Sequence, residues 1–187
     1  IFWGAQLQLL LYLQAALSTE PGAEPAGAFY MRVADPLLPD QEETAQVEDA
    51  LARMLCLRGV ALKDAAILRR MDEGTPPLTL PKTLTADGGF DKRAMLATLE
   101  DMRALIAHAE KMAAQLAERM RAGEIAAAPL CGKGGKGPCE YCEYAAICRQ
   151  DAGRAPQNAQ ALPEMRFDEL LERINAEKSA PPPAGQK

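Results

Sequence analysis

Residues 138–151 read PCEYCEYAAICRQD, which places Cys139, Cys142 and Cys148 in a C-x2-C-x5-C pattern. A CxxC turn sets two sulfurs on one side of the backbone, and five further residues let the chain swing round to offer a third. Thiolates are soft donors that suit zinc or an iron–sulfur cluster. Both kinds of centre usually close with four ligands. Cys131 lies just upstream, across the Gly/Lys segment CGKGGKGP, and is one candidate fourth sulfur. Cys56, in MLCLRG, is the other candidate, though it reads better as a small buried hydrophobe. Five cysteines, three of them crowded together, fit a metal site better than a disulfide framework. On spacing alone an iron–sulfur cluster, a structural zinc and three unrelated reduced thiols all stay open. No βαβ pattern surrounds the CxxC, which argues against thioredoxin-like redox catalysis.

Immediately upstream, Lys133 and Lys136 lie in GKGGKG, and Arg149 follows the last cysteine. This Gly-Lys segment is not a P-loop, because it lacks both the G-x4-G-K-[ST] frame and a preceding strand. Its lysines read as a solvated loop or as phosphate contacts. Further upstream, MLATLEDMRALIAHAEKMAAQLAERM places Met95, Leu99, Met102, Ile106, Ala109, Ala113, Leu116 and Met120 at alternating spacings of four and three. That periodicity predicts a long helix with one buried stripe, begun by Asp91 as N-cap and stopped at Gly123. His108 falls off the stripe and reads as a surface or satisfied histidine. Shorter helices are predicted over 41–57 and 63–71, an irregular stretch over 78–90, and a helix over 162–176.

The whole chain of 187 residues is 48% hydrophobic and 25% charged, values typical of a folded domain. Its net charge of −5 argues against a molecule that is basic all over its surface. Aromatic residues make up only 5%, so a broad base-stacking platform is not expected. A single histidine disfavours His-based zinc chemistry and a Ser-His-Asp triad. The chain begins at Ile1 rather than Met and reads as a processed product or a piece of a longer protein. Its first residues lack the basic start of a signal peptide, and no membrane span is expected. Residues 179–187, SAPPPAGQK, read as a flexible tail.

Near the start, GAQLQLLLYLQAAL over 4–17 predicts a helix that is apolar nearly all round and therefore buried. Gln8 and Tyr12 are four apart and share a face. AFYMRVA over 28–34 alternates Phe29, Met31 and Val33 with Tyr30 and Arg32 and predicts a strand. The elements predict a mixed α/β, helix-dominated domain.

Taken in order, GAQLQLLLYLQAAL, PAGAFYMRVADPLL, LCLRGVALKD, ILRRMD, RAGEIAAAPL and PCEYCEYAAICRQD resemble one family. It is the C-terminal nuclease region of the AddB/RexB-type subunit of bacterial ATP-dependent helicase/deoxyribonucleases. The resemblance implies the C-terminal part of a PD-(D/E)XK (restriction-endonuclease-like) domain over 1–151, with an appended cysteine segment over 131–149 and a partly flexible tail over 152–187. It implies a 4Fe–4S cluster held by Cys139, Cys142 and Cys148, with a fourth cysteine far upstream of this chain. Gln8 and Tyr12 match the family's QxxxY signature, which supports the catalytic centre rather than forming it. The acidic metal ligands and the lysine of that centre precede the signature, yet IFWGAQL over 1–7 contains no Asp, Glu or Lys. They are therefore expected outside this chain, which is expected to be inactive alone.

The function implied is Mg²⁺-dependent hydrolysis of DNA during processing of double-strand breaks. The enzyme would pair with an AddA/RexA-like partner subunit in the bacterial cytoplasm. Lys133, Lys136 and Arg149 are candidate contacts to DNA phosphates. A competing reading is a non-catalytic, zinc-stapled helical module that binds DNA or a protein. A third is an unrelated helical structural domain with incidental cysteines.

Overall fold

The computed structural model describes residues 6–33, 44–74, 79–80, 83–85, 87–126, 128–132, 137, 139, 142–144, 146–148 and 159–179. Five helices and five short strands occur among them. They are α1 (Gln8–Thr19), β1 (Gly27–Tyr30), α2 (Thr44–Leu55), β2 (Arg58–Leu62), α3 (Ala65–Met71), β3 (Leu96–Ala97), α4 (Leu99–Arg121), β4 (Leu130–Cys131), β5 (Gln160–Ala161) and α5 (Phe167–Ser179).

A small three-stranded sheet organises the chain, in the order β1-β2-β3. β1 runs antiparallel to β2, with Gly27 opposite Ala61 and Tyr30 opposite Arg58; β3 runs parallel to β2. Successive side chains of a strand point to opposite faces, and here that alternation separates two apolar clusters. Ala28, Val60, Leu62 and Ala97 join the cluster formed by α1, α4 and α5. Phe29, Ala61 and Leu96 join the other, with Leu68 of α3 and Leu80. The sheet is thus covered on both sides, by three helices on one face and by α3 with Leu80, Leu84 and Phe90 on the other.

β2 lies between the helices predicted over 41–57 and 63–71, where the sequence reading places no element. Gly59 lies within the strand, where a Cβ would stand 2.0 Å from the Ala28 carbonyl oxygen. Only glycine lets β1 approach this closely. The helix predicted over 63–71 begins later, because Asp64 is its cap: the Asp64 carboxylate accepts from the Ala66 N–H at 2.8 Å and the Ile67 N–H at 3.1 Å.

α4 is the predicted long helix, with a different start. Thr98, not Asp91, is the N-cap. Thr98 Oγ1 accepts from the Asp101 N–H at 3.1 Å, and the Asp101 carboxylate accepts from the Thr98 N–H at 3.2 Å, forming a capping box. Asp91 is instead held in a turn by the Arg93 N–H at 2.8 Å. Gly123, at φ +79°, ends the helix in the left-handed conformation expected of a C′ glycine. The buried stripe covers the first half only: Met102, Leu105, Ile106 and Ala109 are buried, whereas Met120 is 76% exposed. His108 is also buried, with Nδ1 3.7 Å from Glu177 on α5.

α1 starts at Gln8 rather than residue 4, because Gln6 adopts φ +57° and cannot belong to a right-handed helix. Its apolar circumference is only partly used: Leu10 is buried, while Leu9, Leu11, Leu13 and Leu17 pack at the edge of the core.

Candidate functional site

Two groups of candidate residues can be distinguished, one near the start of the chain and one beyond α4. The first lies on the opening turns of α1. Gln8 and Tyr12 are one helical turn apart, and the Gln8 Nε2 donates to the Tyr12 hydroxyl at 2.7 Å. Tyr12 is 64% exposed. Because the hydroxyl accepts from Gln8, its own proton is directed away from the amide, as a donor for a phosphate oxygen or a water. Gln8 keeps its amide oxygen as an acceptor. The pair is neutral, so it can orient a strand or a ligand of a metal but supplies no anionic ligand itself.

The second group is sulfur. Cys131, Cys139, Cys142 and Cys148 are all free thiols. Cys131 sits in β4, where its carbonyl accepts from the Leu162 N–H at 2.7 Å. The sequence predicts loop over this stretch, because a two-residue strand paired to β5 across nearly thirty residues has no local signature. Gly137 lies flush against Cys131: a Cβ there would be 3.0 Å from Sγ. The Cys142 N–H donates to the Cys139 carbonyl at 3.4 Å, and the Cys148 N–H to the Tyr144 carbonyl at 3.1 Å.

Desolvation raises the Cys139 thiol above its ordinary pKa, and the charges of Cys131, Cys142 and Cys148 raise it further. The Cys139 sulfur therefore lies within electrostatic reach of the other three, whose negative charge would disfavour its thiolate. A bound cationic centre offsets that repulsion, so the donor set fits a soft metal in type. Among the described residues no three such side chains already stand at metal-holding distance. They form a donor set, not a closed cage. Lys133, Lys136 and Arg149 lie outside the described residues. Cys56 is half-buried near α2, its thiol 3.7 Å from the Leu57 carbonyl.

Residues 3–149 match the PD-(D/E)XK nuclease superfamily. The chain belongs to that superfamily. The matched span includes Gln8, Tyr12 and the four clustered cysteines. Three relatives illustrate the likeness, each named as a subunit of an ATP-dependent helicase/deoxyribonuclease. That of Alkaliphilus metalliredigens is 33% identical over 185 residues, 95% of this chain and 16% of the relative. That of Desulforudis audaxviator is 35% identical over 160 residues, 81% of this chain and 14% of the relative. That of Clostridioides difficile is 32% identical over 164 residues, 81% and 14% respectively. The chain thus spans about 16% of the length of the first of these relatives. Within the nuclease superfamily its resemblance is to the AddB/RexB-type subunit. Among the described residues no helix is long and apolar enough to cross a membrane.

Proposed function

We propose that this chain is the C-terminal part of the nuclease domain of an ATP-dependent helicase–exodeoxyribonuclease that processes DNA double-strand breaks for recombinational repair. Its substrate is DNA and its reaction is Mg²⁺-dependent hydrolysis of phosphodiesters. It works beside an AddA/RexA-like partner subunit in the bacterial cytoplasm. The observation that carries this reading is the hydrogen-bonded Gln8–Tyr12 pair at the head of α1, inside the span that matches the nuclease superfamily.

The metal, Mg²⁺, would be held by acidic residues outside the described part of this chain and would supply water activation and charge stabilisation at the phosphate. Gln8 orients the scissile strand or a metal ligand through its amide. Tyr12 fixes that amide and offers its hydroxyl proton to a phosphate oxygen. Cys139, Cys142 and Cys148 are the chain's ligands for a 4Fe–4S cluster whose fourth cysteine lies in the preceding sequence. Tying distant segments through one cluster couples metal binding to folding. Zinc is the alternative occupant, because the same thiols suit it.

The test uses the full-length subunit with its partner, linear duplex DNA and ATP. Mg²⁺-dependent release of soluble nucleotides, abolished by EDTA, is the expected result. A protein that unwinds DNA but leaves every phosphodiester intact contradicts the reading.

A further inference from the structure

An open cleft of about 860 Å³ lies between the 90–98 segment and the start of α5, on the side of β2 that leads into α3. Lys63, Lys92, Arg93 and Arg166 line it, together with Phe90 and Phe167. The Lys63 ammonium sits 5.6 Å from the centroid of the Phe90 ring.

The acidic groups in the cleft are already engaged. Asp91 accepts from the Arg93 N–H at 2.8 Å. Asp101 is held by Thr98 and Asn175, and Asp168 pairs with Arg166 at 3.1 Å. Lys92 and Arg93 are exposed and pair with no acid among the described residues. The lining thus carries four cations against three carboxylates, a small positive excess in a chain of net charge −5, with Lys92 and Arg93 outside any ion pair among the described residues and above an apolar floor.

We propose that this cleft binds a short run of single-stranded DNA, with phosphates on Lys92, Arg93 and Lys63 and base faces against Phe90 and Phe167. The chemistry follows from the two kinds of lining. Cations track a phosphodiester backbone and release its counterions. Aromatic and apolar side chains accept base faces, which a single strand exposes and a duplex hides in its stack. The proposal rests on the nuclease reading and extends it, giving the domain a strand-holding groove apart from the Gln8–Tyr12 pair.

The test is photo-crosslinking of an oligonucleotide carrying 4-thiothymidine to the full-length subunit with its partner, followed by mass spectrometry of the modified peptides. Crosslinks on peptides containing Phe90 or Phe167 are expected. The double substitution Lys92→Glu/Arg93→Glu should lower their yield about tenfold at low salt, and Lys92→Arg/Arg93→Lys should retain it. Crosslinks that avoid both peptides overturn the proposal, even if the charge-reversed protein does not fold. So does a yield unchanged by charge reversal in a folded variant, or poly-aspartate competing as well as DNA at equal charge. If the wild-type enzyme cleaves DNA without crosslinking there, only the groove fails. If it neither cleaves nor crosslinks DNA, the nuclease reading fails with it.

Discussion

Asp101 of α4 accepts a hydrogen bond from Asn175 of α5 at 2.9 Å while its second oxygen receives the Thr98 hydroxyl at 2.7 Å. One carboxylate therefore caps the longest helix and clasps the last helix to it. Thr98→Ala removes one side of the capping box and should cost about 1 kcal/mol. Asn175→Ala should cost a similar amount, about 1 kcal/mol. Because both act through Asp101, the double variant should depart from additivity by at least about 0.5 kcal/mol. Denaturant titration of the four proteins in the cycle checks this, and simple additivity would show that the two contacts are independent.

The same carboxylate sets a pH dependence, shared with Asp72. Burial pushes each carboxyl up, but hydrogen bonds outweigh it. Asp101 is held by Thr98 and Asn175; Asp72 receives the Leu80, Thr79 and Gly74 N–H groups at 2.9, 2.7 and 3.1 Å. Both pKa values end below the ordinary carboxylate value. A depressed folded pKa gives stability that is complete above the unfolded carboxylate pKa and is lost as pH falls through the folded value. Stability should therefore decline on acidification below the ordinary carboxylate range. Asp72→Asn and Asp101→Asn should each flatten that decline, as read from melting temperature against pH.

Gly59→Ala should be among the most damaging single changes in the sheet. The new methyl group would meet the Ala28 carbonyl oxygen at 2.0 Å and Phe29 Cα at 2.8 Å, both backbone atoms that cannot swing aside. A loss of about 3 kcal/mol is expected, visible as a lowered melting temperature or as insoluble expression. Gly22→Ala offers a control that differs in kind: it has open space but φ +83°, so it should cost only the backbone strain, about 1 kcal/mol.

The contrast between Gly59 and α4 shows what the sequence carried. Met102, Ile106 and Ala109 recur at helical spacing, and a local period announces itself within a dozen residues. β2 has five residues and pairs with a strand some thirty residues earlier; its glycine looks like punctuation until the partner strand is present. The cap moved from Asp91 to Thr98 for a related reason. Either residue suits an N-cap, and the Asp91–Arg93 turn together with strand β3 removes the first from contention. Gln8 and Tyr12 were legible as a pair because their relation is one helical turn. That Cys131 is held in a strand depended on the pairing of β4 with β5, for which the sequence has no local signal.

The cysteines yield a compositional prediction. Cys139→Ser, Cys142→Ser and Cys148→Ser should each strip iron and sulfide from the anaerobically purified full-length subunit, bleach its brown colour and lower its stability. Cys56→Ser should leave the metal content unchanged, since its thiol contacts the Leu57 carbonyl just after α2 and lies outside the C-x2-C-x5-C segment. Colourless wild-type protein carrying one zinc per chain would replace the iron assignment with zinc at the same sulfurs.

The most direct test of the nuclease assignment is the rate of Mg²⁺-dependent DNA hydrolysis by the full-length subunit with its partner, compared between wild type, Gln8→Ala and Tyr12→Phe. Both side chains lie on the exposed side of α1, so stability should change by no more than about 0.5 kcal/mol. Gln8→Ala should slow hydrolysis roughly 10–100-fold, with a smaller loss for Tyr12→Phe, while ATP-driven unwinding persists. Hydrolysis at the wild-type rate in folded Gln8→Ala protein, or none in the wild type, would contradict it.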